Sequence, residues 1–337
     1  MKNSLLAVAL AASFGSAYAQ SSNVTLYGVA DAGFSRTDNG ATTVNAITSG
    51  NQSGSRVGFR GTEDLGGGLS AVFTIESGFS LNDGKLGQGG RLFGRQSWVG
   101  LNGGFGSLKL GRINNPIRPS LEAIDPFGLG LAGDAKRVFR LYDERADNTV
   151  NYTTKTVGGF TGQLAYSFGG LSTSSLGRQV GGSLVYANGP LYATLAFHSQ
   201  NLLTAANADN GDARTVLLGA TYNFGAVKAH FGWAQNDGDS AANVKNLDSR
   251  DLLVGVSAPL GGGQSNVQAS YIRRSDKIGA NRDVTQWALG YTYDLSKRTN
   301  LYASYARVDN EAAANLGGAA AAGRDPSLFN VGVRHRF

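Results

Sequence analysis

Cysteine is absent from this chain of 337 residues, and proline occurs only six times. The lack of cysteine excludes stabilisation by disulfide bonds. The few prolines lie in one long loop, at turns or at strand ends, where no ladder hydrogen bond is lost. Histidine is limited to three residues, and no HExxH, P-loop or nucleotide-binding motif is present. The sequence therefore predicts no enzyme, no cofactor and no metal site.

The N-terminus has the pattern of an export signal. Lys2 precedes an apolar run at residues 5–14, and Ala17-Tyr18-Ala19 has the small-x-small form of a signal-peptidase site. We therefore predict a signal peptide at residues 1–19 and a mature chain at residues 20–337. No later stretch approaches 18 consecutive apolar residues, which excludes a membrane-spanning helix. An exported chain without disulfides needs another source of stability, and a closed ladder of strand hydrogen bonds supplies one.

The C-terminus alternates like a strand placed between lipid and water. One face would carry Phe329, Val331, Val333, His335 and Phe337, and the other Asn330, Gly332, Arg334 and Arg336. A strand with an apolar face, a cationic face and a terminal aromatic residue suits a barrel between lipid and water better than the core of a soluble protein. This is the pattern of the last strand of an outer-membrane β-barrel.

Alternating segments of eight to eleven or so residues recur along the mature chain, which is near the length that a tilted barrel strand needs. The predicted strands are 24–35, 56–65, 69–81, 92–101, 107–113, 149–155, 160–168, 179–187, 191–199, 215–224, 227–234, 251–258, 266–274, 284–295, 300–308 and 327–337. They are joined alternately by short turns and longer loops. The predicted fold is all-β, a 16-stranded antiparallel transmembrane β-barrel. A barrel of about sixteen strands leaves an aqueous channel, whereas eight strands leave an interior filled by side chains.

One predicted loop, at residues 114–148, is much longer than the others, and structureless loops of that length are usually functional. It holds half of the prolines and several large apolar residues, among them Ile124 and Phe127. Apolar side chains need a surface to pack on, so we expect this loop, the third long one, to fold into the barrel and narrow it. An external surface loop is the alternative.

Charged residues on the polar faces of the strands are expected to line the channel, because Arg or Lys facing lipid costs about 2–4 kcal/mol at the bilayer midplane. Arg95 falls on the channel side if Trp98 faces outward. Carboxylates from the long loop would create a transverse electric field across the opening. Charged side chains arranged around a narrow point of a channel set its ion selectivity. The predicted constriction residues are Arg56, Arg60, Glu76, Arg95, Lys109, Glu122 and Asp125. Simple solvation of each charge in a wide lumen is the alternative.

Five segments and the C-terminus resemble the general diffusion porins of β-proteobacteria, of the Neisseria, Comamonas, Bordetella and Burkholderia type. They are VTLYGVADAG (24–33), SRVGFRGTEDLGGG (55–68), FTIESGF (73–79), RQSWVGL (95–101), LGR (110–112) and the terminal Arg336-Phe337. The resemblance covers the whole mature chain in order. It implies a trimeric outer-membrane porin, surrounded by lipid and lipopolysaccharide, with the third loop folded into the channel.

The resemblance also implies that Arg56, Arg95 and Glu76 match the constriction charges of that family, whose members often favour anions. Asp125-Pro126-Phe127-Gly128 resembles the loop tip of enteric porins instead, which makes the roles of Glu122 and Asp125 less direct. A trimer contact would also tolerate the small or polar residues Gly61, Gln96 and Gly100, which we expect to face outward.

The main alternative function is a channel specific for a sugar or for an organic or aromatic acid, which would need an aromatic track along the lumen. A plugged adhesive barrel would need a domain-sized insert, and none is present. The formal charge of +6 is dispersed and not interleaved with aromatic residues, so nucleic acid is not an expected partner. The expected function is passive diffusion of small hydrophilic solutes and inorganic ions, with a preference for anions.

Overall fold

The computed structural model describes residues 22–139, 144–170, 176–204, 206 and 208–337. The predicted signal peptide lies outside the described residues. Within them the chain forms seventeen strands, one α-helix and two short 3-10 helices. No helix in these ranges is long and apolar enough to cross a membrane.

The first eight strands lie before residue 168. They are β1 (Ser22–Asp38), β2 (Thr43–Ser49), β3 (Arg56–Gly66), β4 (Leu69–Gly78), β5 (Gln96–Gly103), β6 (Gly106–Asn114), β7 (Arg145–Thr153) and β8 (Phe160–Ser167). The others are β9 (Gln179–Asn188), β10 (Leu191–Leu203), β11 (Asp209–Asn223), β12 (Lys228–Asp239), β13 (Lys245–Leu260), β14 (Ser265–Asp276), β15 (Val284–Asp294), β16 (Thr299–Asn310) and β17 (Ser327–Arg336). The helix α1 spans Ile117–Ile124, and the 3-10 helices span Ala135–Arg137 and Gly261–Gly263.

The strands close into a barrel. Each pairs antiparallel with its neighbours, and β1 pairs with β17 to complete the ring. At the seam Gly28 and Phe337 exchange two backbone hydrogen bonds, of 3.0 and 3.1 Å. A side chain at position 28 would collide with the Phe337 ring, so a glycine is needed there. Closure leaves no sheet edge unpaired, which is what a barrel in lipid requires.

The second strand position around the barrel is shared by two segments. The first part of β1 pairs with β3, and its later part pairs with β2, so β2 and β3 follow one another along the same edge. The ring therefore has sixteen strand positions, which confirms the predicted barrel. The strand β2 was not predicted, because Thr43–Ser49 is short and mostly polar.

The alternation of side chains separates an apolar outer surface from an inner one. Leu195, Leu218 and Trp287 are among many large apolar side chains exposed on the outside. One prediction of orientation is wrong: Val99 and Leu101 are the exposed residues of β5, so Trp98 lies on the inner face. Gln96 and Gly100 share that face by strand parity, and they cannot contribute to an outer contact.

The long loop, residues 115–144, lies between β6 and β7 and includes α1. Ile117, Leu121 and Ile124 recur at helical spacing and are almost completely buried. The helix ends at Asp125, whose backbone is extended, as expected for a residue that precedes proline.

The apolar face of α1 packs on the strand face opposite the exposed outer side chains. Its cluster includes Leu217 and Leu253, whereas Leu218 and Val254, one residue further along each strand, are exposed. Further on, Phe127, Leu131 and Ala132 pack with Ala288, Tyr302 and Ala306. The inner faces of β10 to β16 are thus covered by the long loop.

Candidate functional site: the charged wall and the long loop

Glu76, on the inner face of β4, is the centre of a charged cluster. Its carboxylate accepts hydrogen bonds from Arg95 Nε at 2.6 Å and from the Tyr27 hydroxyl at 2.9 Å. Arg56 Nε lies 3.5 Å from the same carboxylate. Two arginines therefore share one carboxylate that is only 5% exposed. We call Tyr27, Arg56, Glu76 and Arg95 the Glu76 cluster.

Arg95 reaches this cluster from outside the regular strand. It directly precedes β5, and its backbone N–H donates to the Glu76 carbonyl at 3.1 Å. The side chain then returns to the Glu76 carboxylate, so both ends of Arg95 are held by one residue. Alternation along β5 did not determine this orientation. The premise that Trp98 faces outward was wrong, and the position of Arg95 instead follows from its contacts with Glu76.

A second network of charges, which was not predicted as part of the site, connects the long loop with β6 and β7. Glu144 contacts Lys136 Nζ at 3.0 Å, Arg118 Nε at 3.2 Å and Arg145 Nη1 at 3.4 Å. Burial alone would raise the pKa of Glu144, but these cations, Lys136 first, lower it below its ordinary value. The carboxylate is therefore held ionised.

Asp147 anchors the outer part of the same network, where Arg91 and Arg112 both pair with its carboxylate. Arg145 also lies near enough to Arg95 and Arg112 to be repelled by them. The alternating charges of residues 112–147 were the available signal in the sequence, but the pairing depends on how the loop folds.

Glu122 lies on the exposed side of α1, opposite the buried apolar stripe. Its side chain is 45% exposed and pairs with Arg118 one turn earlier. It is also close enough to attract Arg56 electrostatically. The structure thus sets one predicted loop carboxylate within electrostatic range of one predicted wall arginine.

Asp125 differs from the expectation, because its carboxylate does not face the wall arginines. The residue is 3% exposed, and its oxygens accept backbone N–H bonds from Phe127, Leu129 and Ala135 at 2.9–3.2 Å. It organises the turn after α1. Burial raises the pKa of Asp125 to about 7, with repulsion from Asp134 adding to the effect and the three N–H donors opposing it.

Arg60 and Lys109 form no ion pair with Glu76 within the described chain. Each lies beside an aromatic ring, and the ring beside Arg60 is that of Tyr27 in the Glu76 cluster. The Arg60 guanidinium lies 5.3 Å from the centre of the Tyr27 ring, and Lys109 Nζ lies 4.4 Å from the Trp98 ring. Both distances suit cation–π contacts. The structure therefore divides the predicted residues into the Glu76 cluster, Glu122 on the exposed side of α1, the pair Arg60 and Lys109, and the buried Asp125.

The long loop is also attached to the wall by polar contacts. The loop carbonyl of Ile124 is 3.1 Å from His230 Nδ1, and Ser120 accepts from Thr194 at 2.9 Å. On the other side the Leu131 N–H donates to the carbonyl of Asn51, in the turn between β2 and β3. Buried Asp31 holds that turn through the N–H groups of residues 52 and 53. None of these wall residues was predicted.

A closed barrel with an apolar outside, a charged inside and a loop attached to the inner wall defines a transmembrane channel protein. The model of the Gram-negative porin family matches residues 6–313. An outer membrane porin protein of Bordetella pertussis is 35% identical over the whole of both chains. The chain belongs to the Gram-negative porin family and is an outer-membrane porin, located in the cell outer membrane.

Solved structures agree with this assignment. The anion-selective porin from Comamonas acidovorans is 32% identical, with a TM-score of 0.83 over 94% of this chain and 100% of that one. OmpT of Vibrio cholerae, described in a trimer form, has a TM-score of 0.70 over 94% of this chain and 99% of that one. At 17% identity the second likeness supports the fold alone.

Proposed function

We propose that the chain forms a water-filled channel for passive diffusion of ions and small hydrophilic solutes, with a preference for anions. The observation that carries the preference is the Glu76 cluster, where Arg56 and Arg95 share one carboxylate. The cluster keeps an excess of positive charge on the wall. Charged side chains at a narrow point select ions by sign, so an anion gains more from this wall than a cation does.

We further propose that the long loop narrows the channel and supplies the opposing charge. Its packing against the inner faces of β10 to β16 supports a position inside the barrel. Glu122 would then face Arg56 across the opening, which creates a transverse field. Asp125, which the sequence suggested for the same role, contributes by shaping the loop.

Family membership and the structural likeness support a homotrimer embedded in outer-membrane lipid and lipopolysaccharide. Of the three residues expected at the contact, only Gly61 remains on the outer face, where the Phe73 ring covers it. Residues 1–19 are proposed to be a signal peptide that is removed from the mature domain at residues 20–337. Sequencing the N-terminus of the protein purified from outer membranes would test that cleavage site.

The test of the main proposal is the reversal potential of the purified protein in a planar bilayer under a KCl gradient. We expect ohmic current steps that arrive in threes and a potential of the sign that anion preference gives. A potential of the opposite sign would refute the anion preference, and the absence of conductance would refute the channel.

A substrate-specific channel for an organic or aromatic acid is the second candidate, and one observation favours it. Trp98 lies on the inner face beside Lys109, which is a combination that a non-selective aqueous wall does not need. Current steps that one particular solute blocks at low concentration would support this candidate over general diffusion.

A further inference from the structure

We propose that the inner wall holds a second anion site, distinct from the Glu76 cluster, that binds carboxylates carrying an aromatic ring. The site is a recess of about 650 Å³ at the end of the barrel where the strands are joined by short turns. We call it the Trp98 recess. Its lining includes Arg60, Thr74, Trp98, Asn102, Lys109 and Lys155.

The charge of the recess has one sign. Three of its lining residues are cations, and within the described chain the lining contains no Asp or Glu. Arg60, Lys109 and Lys155 take part in none of the ion pairs that the described residues form. Cations without an ion-pair partner favour an anionic ligand, because the ligand supplies the missing negative charge.

Two of the three cations, Arg60 and Lys109, lie against aromatic rings. Arg60 is stacked on Tyr27, whose hydroxyl is fixed by Glu76 at 2.9 Å, and Lys109 sits over Trp98. The indole N–H of Trp98 donates to Gln96 at 2.9 Å, which fixes the plane of the ring. Side chains held in one geometry lose less entropy on binding than free ones.

Strand register places these groups in one patch. Arg60 pairs with Thr74 across β3 and β4, and Thr74 pairs with Trp98 across β4 and β5. Two strand spacings put the Cα atoms of Arg60 and Trp98 about 10 Å apart on the same face. Lys109 pairs with Gly100, two residues along from Trp98, and so is its diagonal neighbour.

This arrangement selects for a ring as well as a charge. A carboxylate can accept hydrogen bonds from Lys109 and Arg60, while a planar ring attached to it stacks against the indole of Trp98. Inorganic anions gain only the charge. Along β3 the recess lies about 13 Å from Arg56, so an aromatic acid would meet two separate anion sites in the channel. The inference deepens the proposed function, since it assumes that this wall lines the channel.

Equilibrium binding to the refolded full-length protein tests the site without requiring conductance. Of the three tryptophans, Trp233 and Trp287 lie on the outer face by strand parity, so Trp233→Phe and Trp287→Phe leave Trp98 as the only indole. We expect benzoate to quench its fluorescence saturably. Cyclohexanecarboxylate, which has the same charge and a non-aromatic ring, should bind several-fold more weakly. Lys109→Gln should weaken benzoate binding about tenfold.

Arg273→Gln, which removes an equal charge from an exposed surface pair, is the matched control and should leave benzoate affinity unchanged. Quenching that does not saturate, or that is equal for the two acids, would overturn the inference, as would unchanged affinity in Lys109→Gln. Interruptions of the wild-type channel current by benzoate provide a second readout that needs no tryptophan substitutions. Saturable binding in a protein whose reversal potential shows no anion preference would refute the proposed selectivity and leave this site standing.

Discussion

The inner surface of the barrel has two halves, which carry different residues because they face different surroundings. On β3 to β7, the bare half, inward positions hold charges such as Arg56, Glu76 and Lys109. On β10 to β16, the covered half, inward positions include Leu217, Leu253 and Ile272, all of them completely or almost completely buried beneath the long loop. The bare half carries the Glu76 cluster, whereas the covered half packs against the long loop and has its inward charges, Asp251 and Arg274, buried.

Glycines in the covered half show how closely the long loop packs on the wall. In the covered half, Ile124 occupies the space above Gly219 and Gly232, where an added Cβ would lie 2.4 and 2.8 Å from its Cδ1. Leucines and glycines on an inner strand face would be unexplained in an empty lumen. They are explained by a helix that packs on them, so residue type on the inner face reports what that face contacts.

The largest expected loss of stability comes from breaking the buried pair in the bare half. Arg95→Leu leaves the Glu76 carboxylate buried with one of its two cations gone, and removing a partner from a buried pair costs about 3–5 kcal/mol. The free energy of unfolding from urea titration in lipid vesicles measures this. Arg273→Leu, at the exposed pair with Asp283, is the control and should cost about 1 kcal/mol or less. Equal losses in the two variants would contradict the central place of Glu76.

The second largest effect on stability is expected from a substitution in the covered half. Ile124→Ala empties a completely buried contact between the loop and the wall, which should cost about 2–5 kcal/mol. Because the loss falls on loop packing, we expect frequent transitions to a higher conductance in single-channel recordings. Leu164→Ala, at an exposed position on the outer face, should leave the recordings steady. Steady currents from Ile124→Ala would show that this packing does not hold the loop in place.

A smaller effect is expected from Asp125, the carboxyl group that shapes the loop. Its folded-state pKa of about 7 lies above the ordinary value of 3.8. Proton binding therefore stabilises the fold below pH 3.8, and this contribution is lost as pH rises through about 7. We expect the hydrogen-exchange protection factors of the Leu129 and Ala135 amides to fall over that pH range.

Asp125→Asn removes the titration and should make those protection factors independent of pH. The substitution also removes one of three hydrogen bonds. The free energy of local opening at these amides should therefore fall by about 1–3 kcal/mol at low pH. Glu122→Gln, on the exposed side of the same helix, is the control that should retain the wild-type pH dependence. A wild-type protein whose loop protection does not vary with pH would refute the role assigned to Asp125.

The sequence predicted well whatever depends on alternation within one strand. Phe329, Val331 and Val333 are exposed as expected, and the charged wall of β3 and β4 follows from the same rule. The rule was not applied at Trp98, where an outward orientation was assumed against the parity of Val99 and Leu101. It also missed β2, whose polar residues gave little alternation to detect.

The parts that could not be predicted depend on contacts between distant segments. The burial of Asp125 follows from the path of the loop after α1, and no local pattern specifies that path. The pairing of Arg118 and Arg145 with Glu144 likewise needs the loop to return to β7. The sequence shows charges of both signs in this loop, but not which residues pair.

The most direct test of the central claim compares one charge reversal in the bare half with one outside the channel. Reversal potentials under a KCl gradient would be measured for the wild type, Arg56→Glu and Arg273→Glu. The two variants have the same net charge, but only Arg56 lies beside Glu76 on the inner wall. We predict anion preference in the wild type, a shift toward cations in Arg56→Glu and an unchanged potential in Arg273→Glu. Equal potentials in the two variants would contradict the claim that the bare half sets ion selectivity.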